Sequence, residues 1–387
     1  MQAVVFHGRH DVRIEDRPDP RILEPSDAIV RVTSTAICGS DLHIYNGMLP
    51  QPRPMVLGHE FMGIVQQVGP DVRRLRPGDR VIVPFPIACG TCWFCHHGMP
   101  THCASSNRMH YGPDGALLDQ KGAALYGYTE LYGGYDGGQA QYVRVPYADV
   151  GPRRVPDELS DEQVLFLTDI LPTGWTALEW ADVRSGQTIA VFGAGPVGLM
   201  VVKLARVRGD VRVFCVDRLP ERLELAKRSG ADEVIDLRQE DPVARIRQLT
   251  EGRGADVSID AVGMEAHRGP LGRLTSALHG QVGSLSALDA ALRAVRRGGT
   301  LSVVGVYGSD YDDFPLGRVF DKGVKLVGGQ APVHIYVDTL LELVAAKRIR
   351  AEDIVTHTLP LWEAPRAYRM FNQKAEGCVK VVMKPWA

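Results

Sequence analysis

The chain has 387 residues, 45% of them hydrophobic and 23% charged, with a formal net charge of −2. This composition is ordinary for a globular protein, the length suits two domains, and the near-neutral charge gives no general pull toward nucleic acid or an anionic membrane. No apolar run reaches the ~18 residues that a membrane span requires, and the first residues, "MQAVVFHG", lack the basic region and long apolar stretch of a signal peptide.

In chain order, "AVVF" near the start reads as a first strand, and residues 1–155 continue with short alternating runs such as "AIVRVTS" and "GIVQQVG" between turn signals such as "RPGD". That is the pattern of an irregular β-rich domain. Within it, "ICGSDLH" supplies Cys38, Ser40, Asp41 and His43, and "LGHE" supplies His59 and Glu60. Taken singly these are ordinary: a lone cysteine is usually a small core residue, and a histidine beside a glutamate is often a surface pair.

The densest chemistry follows at 89–103. Cys89, Cys92, Cys95 and Cys103 have the spacing C-x2-C-x2-C-x7-C. In a chain expected in a reducing cytoplasm, clustered cysteines bind metal more often than they form disulfides. Four thiolates complete the tetrahedron of Zn²⁺ and leave no open position, so this zinc is expected to be structural. The spacing does not follow the ferredoxin runs of an iron–sulfur site, and a redox C-x-x-C lacks its usual surroundings. His96, His97 and His102 are expected to face solvent, since the cysteines already saturate the metal. A long glycine- and tyrosine-rich stretch, 105–138, is a candidate border of a substrate pocket.

"LTDILPTGW" then supplies Asp169 and Thr173. Cys38, His59 and Asp169 together offer one sulfur, one nitrogen and one oxygen ligand, with a fourth position left open as catalytic zinc requires.

From residue 170 the rhythm changes. Short apolar strands alternate with helical stretches as far as residue 330, which argues for βαβ units and a parallel sheet. The first of these units carries "VFGAGPVG", in which Gly193, Gly195 and Gly198 have the spacing G-x-G-x-x-G, with Pro196 and Val197 between the last two. A strand precedes the motif, an apolar helix follows it, and Asp217 ends the next strand. This is the context of a dinucleotide-binding Rossmann turn: room for a tight turn, backbone approach to a pyrophosphate, and close packing of helix on strand. Asp217 would accept hydrogen bonds from a ribose 2′-hydroxyl and repel a 2′-phosphate, which favours NAD over NADP; the neighbouring Arg218 tempers that preference. Residues 265–282 interrupt the β–α rhythm and read as an insertion loop. The tail, 335–387, carries one helical run and ends in the strand-like "CVKVVM".

In this combination and order, "CGSDLH", "GHE", the four-cysteine lobe, "FGAGPVG" and "VD" resemble the zinc-dependent alcohol dehydrogenases of the medium-chain dehydrogenase/reductase family, over essentially the whole chain. The resemblance implies an α/β protein: a GroES-like β-rich catalytic domain at 1–165 and 335–387, and a Rossmann NAD-binding domain with a doubly wound parallel sheet at 166–334. It implies NAD, a catalytic and a structural zinc, a small-molecule alcohol or aldehyde as substrate, and a cytoplasmic homo-oligomer, tetramer rather than dimer. Ser40 and His43 take the roles of a proton relay, with the ordinary histidine pKa of ~6.5 suiting exchange with solvent. Glu60 balances the zinc or ligates it transiently, and Asp41 orients His59. Thr173 lies beside the nicotinamide, Arg222 near the adenosine ribose, and the backbone of Gly305, Val306 and Tyr307 passes the carboxamide.

The family's familiar members carry cysteine where this chain has Asp169. That change, with "DILPTGW" and "GGQAQYVRVPYAD", looks like the glutathione-independent formaldehyde dehydrogenase and dismutase branch, where an insertion is associated with tight retention of NAD. The expected activity is interconversion of an alcohol with an aldehyde or ketone. The alternatives are dismutation with NAD kept bound, a zinc-free quinone reductase, which the retained ligands disfavour, and an NAD-binding structural protein.

Overall fold

A computed structural model describes residues 1–107, 122–266, 284–308, 311 and 313–387. Most of the insertion at 265–282, and the middle of the stretch 105–138, lie outside the described residues. The chain divides into two compact units, Met1–Pro172 with Pro332–Ala387, and Thr173–Ala331.

The first unit is built on antiparallel pairing. Among the described residues its largest sheet has seven strands, with Ala28–Ile37 near the middle between Glu60–Val68 and Val381–Lys384. Both partners run antiparallel to it, with Ala36 opposite Glu60 and Val381 opposite Ile37. Alternation along these strands fills an apolar core that includes Val30, Val32, Phe61, Val65, Val81 and Val143. A consequence of this register is that the C-terminal end of Ala28–Ile37 meets the N-terminal starts of its two neighbours. Cys38, His59 with Glu60, and Lys380 are therefore brought to one edge of the sheet by backbone pairing alone. The short 3-10 turn Leu165–Thr168 packs on Glu60–Val68 and delivers Asp169 there.

The tail holds a helix the sequence reading did not separate, Ala364–Gln373. Its buried face includes Ala367, Tyr368, Met370 and Phe371, a helical repeat that was legible in principle but is interrupted by arginines.

Among the described residues the second unit is built on a six-stranded sheet in the order Glu233–Asp236, Arg212–Asp217, Thr188–Phe192, Ala255–Asp260, Val295–Val303, Lys325–Gly328, every neighbouring pair parallel. Numbered along the chain this is 3-2-1-4-5-6, the doubly wound dinucleotide-binding order. The central strand Thr188–Phe192 is buried throughout, as a strand covered on both faces must be. Three of the helices, Pro196–Ala205, Pro220–Arg228 and Pro242–Leu249, start on proline, where the missing N–H costs nothing. No helix among the described residues is long and apolar enough to cross a membrane.

Candidate functional site

In the first unit, Cys38, His59, Glu60 and Asp169 present ligand atoms that all lie within 4.8 Å of one another, and all four are buried. Cys38 Sγ donates to Asp169 Oδ2 at 3.2 Å, and the same oxygen lies 3.4 Å from His59 Nε2. The other nitrogen of His59, Nδ1, faces Asp41 Oδ1 at 3.3 Å. Asp41 Oδ2 in turn accepts the backbone N–H of Cys38 at 2.9 Å, so one carboxylate touches two of the candidate ligands. Ser40 Oγ is 3.1 Å from His59 Nε2.

The electrostatics of this cluster call for a cation. Burial pushes the Cys38 thiol up to about 12, and the carboxylates of Asp169 and Glu60 push it the same way. Burial disfavours a charged His59 ring, but Asp41 and Asp169 outweigh it and hold the ring well above its ordinary range. Asp41, Glu60 and Asp169 are three buried carboxylates, and Lys380, itself fully buried, offsets one of them. Glu60 Oε1 takes the Lys380 ammonium at 2.6 Å, while Glu60 Oε2 has no hydrogen-bond partner. A divalent cation would displace the thiol proton and supply the missing positive charge. The donor set of thiolate, imidazole and carboxylate suits zinc. The residues thus fit the metal.

Lys380 had no signal in the sequence beyond a lysine interrupting an apolar strand start.

His43 is placed differently from the expectation. Its ring is buried, its Nδ1 lies 3.2 Å from the hydroxyl of Tyr128, and burial pushes its pKa down to about 3. Burial thus disfavours the charged ring and holds His43 below the ordinary histidine pKa expected of a relay.

The four-cysteine segment is the second cluster. The sulfur–sulfur separations are 3.5 Å for Cys92–Cys95 and 3.9 Å for both Cys89–Cys95 and Cys92–Cys103. A tetrahedral zinc with Zn–S bonds of ~2.3 Å has sulfur–sulfur edges of about 3.8 Å. None of the four is in a disulfide. Cys89 Sγ accepts the backbone N–H groups of Thr91 at 3.4 Å and Cys92 at 3.3 Å. Burial works against its ionisation, but these donors pull the Cys89 thiol down to about 6, which prepares a thiolate ligand. His96, His97 and His102 are exposed and stand outside this set.

In the second unit the glycines of the turn have distinct surroundings. Gly193 has φ +96°, and a Cβ there would lie 2.7 Å from Val262. A Cβ on Gly198 would lie 1.8 Å from the carbonyl oxygen of Gly193, so the helix Pro196–Ala205 can rest on the turn only with glycine at that position. Above Gly195 the nearest side-chain atom is a guanidinium nitrogen of Arg222, 3.6 Å from where a Cβ would be. Arg222 Nε is buried without a partner. Pro196 is buried and Val197 half-buried at the first turn of the helix.

Asp217 does more than the sequence reading asked of it. Its Oδ2 accepts the N–H of Ala194 at 2.7 Å, and its Oδ1 accepts those of Arg218 at 2.7 Å and Leu219 at 3.0 Å. It thereby ties the glycine turn to the end of the adjacent strand. Arg218 itself is exposed. Thr173 is buried at the start of this unit. Gly305, Val306 and Tyr307 follow the strand Val295–Val303, and Tyr307 donates its hydroxyl to the fully buried Asp260 at 2.6 Å. Asp260 also accepts the N–H groups of Val262 at 2.9 Å and Gly263 at 3.1 Å. This tie between two loops at the carboxyl ends of parallel strands was not visible in the sequence.

Comparison with known proteins follows the same division. Residues 24–157 match the alcohol dehydrogenase GroES-like domain, and residues 196–268 match the zinc-binding dehydrogenase family. The chain is 42% identical over 389 residues to an uncharacterized zinc-type alcohol dehydrogenase-like protein, AdhB, of Bacillus subtilis (strain 168), covering 100% of each. It is 36% identical over 409 residues to a formaldehyde dismutase of Pseudomonas putida, covering 99% of this chain and 97% of that protein. Among solved structures, the alcohol dehydrogenase TADH from Thermus sp. ATN1 superposes with a TM-score of 0.84 at 39% identity, covering 99% of each chain.

Proposed function

Since the chain belongs to the zinc-binding alcohol dehydrogenases, an oxidoreductase family acting on alcohols, we propose that it interconverts an alcohol with an aldehyde or ketone using NAD and two zinc ions. The observation that carries this reading is the buried set of Cys38, His59, Glu60 and Asp169, whose sulfur, nitrogen and oxygen atoms converge within 4.8 Å around an excess of negative charge.

Cys38, His59 and Asp169 would hold the catalytic zinc; Cys89, Cys92, Cys95 and Cys103 would hold the structural one. When bound, the catalytic zinc supplies a Lewis acid for the substrate oxygen and NAD supplies the hydride acceptor. The protein's own groups do the rest. Asp41, bonded to the Cys38 N–H and facing His59, holds both ligands in orientation. Ser40 is the group we assign to receive the alcohol proton. His43, buried beside Tyr128, is the group we assign to carry the proton on toward solvent, and its lowered basicity disfavours storing it there. Lys380 anchors Glu60 beside the ligand set.

NAD rather than NADP is supported by Asp217, whose carboxylate at the end of the second strand would repel a 2′-phosphate. Gly193, Gly195 and Gly198 cradle the pyrophosphate at the start of the helix Pro196–Ala205. Arg222, whose guanidinium lies over Gly195, would face the adenosine, and Gly305, Val306 and Tyr307 would take the carboxamide end. Thiols in a four-cysteine zinc site need a reducing compartment, which supports a cytoplasmic location. We take the protein as a homo-oligomer, tetramer before dimer, on the resemblance given above; one sizing measurement decides it.

A second reading is favoured by the similarity to the formaldehyde dismutase of Pseudomonas putida. In it NAD stays bound while one aldehyde is oxidised and another reduced. An alcohol and aldehyde panel followed by NADH absorbance tests both. Turnover that needs stoichiometric external NAD supports the dehydrogenase. Protein that purifies with nicotinamide and consumes aldehyde without added NAD supports the dismutase. No redox turnover with any alcohol or aldehyde rejects both.

A further inference from the structure

A polar chain with no charge of its own reaches the metal ligands from the far end of the sequence. Tyr368, on the helix Ala364–Gln373, donates its hydroxyl to Gln139 Oε1 at 2.8 Å. Gln139 Nε2 donates to the carbonyl of Ala36 at 3.2 Å and to Asp41 Oδ2 at 3.3 Å. Asp41 holds the Cys38 N–H and faces His59 Nδ1, as described above. Tyr368, Gln139 and Asp41 are each fully buried.

The orientation of the Gln139 amide is dictated by its neighbours. Asp41 and the Ala36 carbonyl can only accept, so the NH2 must point to them and the carbonyl to the tyrosine hydroxyl. The reversed amide would aim its oxygen at a carboxylate and a carbonyl. The backbone is shaped around this side chain. Residues 137–139 are hydrogen-bonded to 56–58 through Gly137 N to Val56 O at 2.9 Å, Gly138 N to Gly58 O at 2.8 Å and Gln139 N to Leu57 O at 3.0 Å. Gly58, next to His59, has no Cβ, and one built there would lie 2.3 Å from Gln139 Cγ. Room for the glutamine is therefore made at the residue immediately before a candidate ligand.

From these contacts we propose that Gln139 and Tyr368 are positioning residues for the catalytic metal: they fix the Asp41 carboxylate, and through it both Cys38 and His59. The proposal rests on the reading that Cys38, His59 and Asp169 hold zinc. The uncharged amide is suited to the task, because it supplies Asp41 with a second donor without adding a charge beside a divalent cation. Groups that orient a ligand in this way are worth about 10–100-fold in metal affinity.

The test uses the full chain and competition with a chelator, read as metal per chain, under conditions where circular dichroism shows the variants folded. Gln139→Met keeps the length and loses the amide; Tyr368→Phe is the milder change and guards against a variant that fails to fold. Gln139→Met is expected to release one of the two zinc ions at about 10–100-fold lower chelator concentration than the native chain, and Tyr368→Phe to shift it in the same direction by less, while the second ion is released as before. Gln139→Glu is expected to be worse than Gln139→Met, since it sets a carboxylate against Asp41. Competition curves identical to the native chain's, with only the unfolding midpoint of the metal-free protein lowered, would show a structural role and overturn the proposal. Cys38→Ser separates the two layers: if it keeps both ions, the metal reading itself fails and this inference with it.

Discussion

The ammonium of Lys380 lies 2.6 Å from Glu60 Oε1, with both side chains fully buried and the two residues 320 positions apart in the chain. Lys380 also donates to the carbonyl of Ile37 at 2.9 Å. The pair links the C-terminal strand to the strand ends where the candidate metal ligands gather. Burial disfavours the charged lysine, but Glu60 overcomes it and keeps the ammonium protonated. Removing one partner of such a pair leaves an uncompensated charge and costs about 3–5 kcal/mol. Lys380→Met is thus expected to lower unfolding free energy by about that amount in urea titration of the metal-free chain. Adding Glu60→Gln should recover much of the loss, since the orphaned charge is then gone.

Gly198 is the tightest packing point of the nucleotide turn. Gly198→Ala sets a methyl 1.8 Å from the Gly193 carbonyl in the present backbone. The turn or the helix must shift, at about 1–3 kcal/mol or more, and the pyrophosphate cradle shifts with it. Quenching of protein fluorescence by NADH is the check, with binding expected to weaken at least tenfold. The metal content should not change.

Cys92→Ser should remove one zinc per chain and lower stability or assembly, because a closed four-thiolate site contributes to folding rather than to chemistry. The fraction that remains folded should still turn over substrate. An intact fold with abolished chemistry would instead place the active site in the cysteine segment.

His334 gives a pH prediction. Its two ring nitrogens are buried without hydrogen-bond partners, and burial, with Arg153 nearby, pushes its pKa down to about 3. The unfolded chain binds this proton near the ordinary histidine value of ~6.5, and the folded chain does not until much lower pH. Its stabilisation is therefore complete above pH ~6.5 and is lost as pH falls from there toward about 3. His334→Leu should flatten the fall in unfolding free energy across that window, with the difference from the native chain growing as pH drops. Equal slopes for the two proteins would contradict it.

The parts legible in the sequence were those with local spacing. The glycine turn, the four cysteines and the alternation of strand and helix each lie within a few tens of residues, so their pattern survives without the fold. Cys38, His59 and Asp169 were found only by taking three dispersed fragments together and by resemblance, because their meeting depends on strand register. Lys380, Gln139 and Tyr368 were missed for the same reason. Each is an ordinary residue until pairing of Val381–Lys384 with Ala28–Ile37, hydrogen bonding of residues 137–139 to 56–58, and packing of the helix Ala364–Gln373 bring it inside. His43 shows the opposite limit: the sequence supplies the imidazole but not the burial that removes its usual pKa. The Asp260–Tyr307 tie likewise needs two loops that only the parallel sheet makes neighbours.

The most direct measurement of the central claim pairs metal content with alcohol-dependent NADH formation in Asp169→Ala. The account predicts a folded chain that keeps the four-cysteine zinc, loses the other, and falls by at least a thousandfold in turnover with the best alcohol of the panel. A variant that retains both zinc ions and near-native turnover would contradict it.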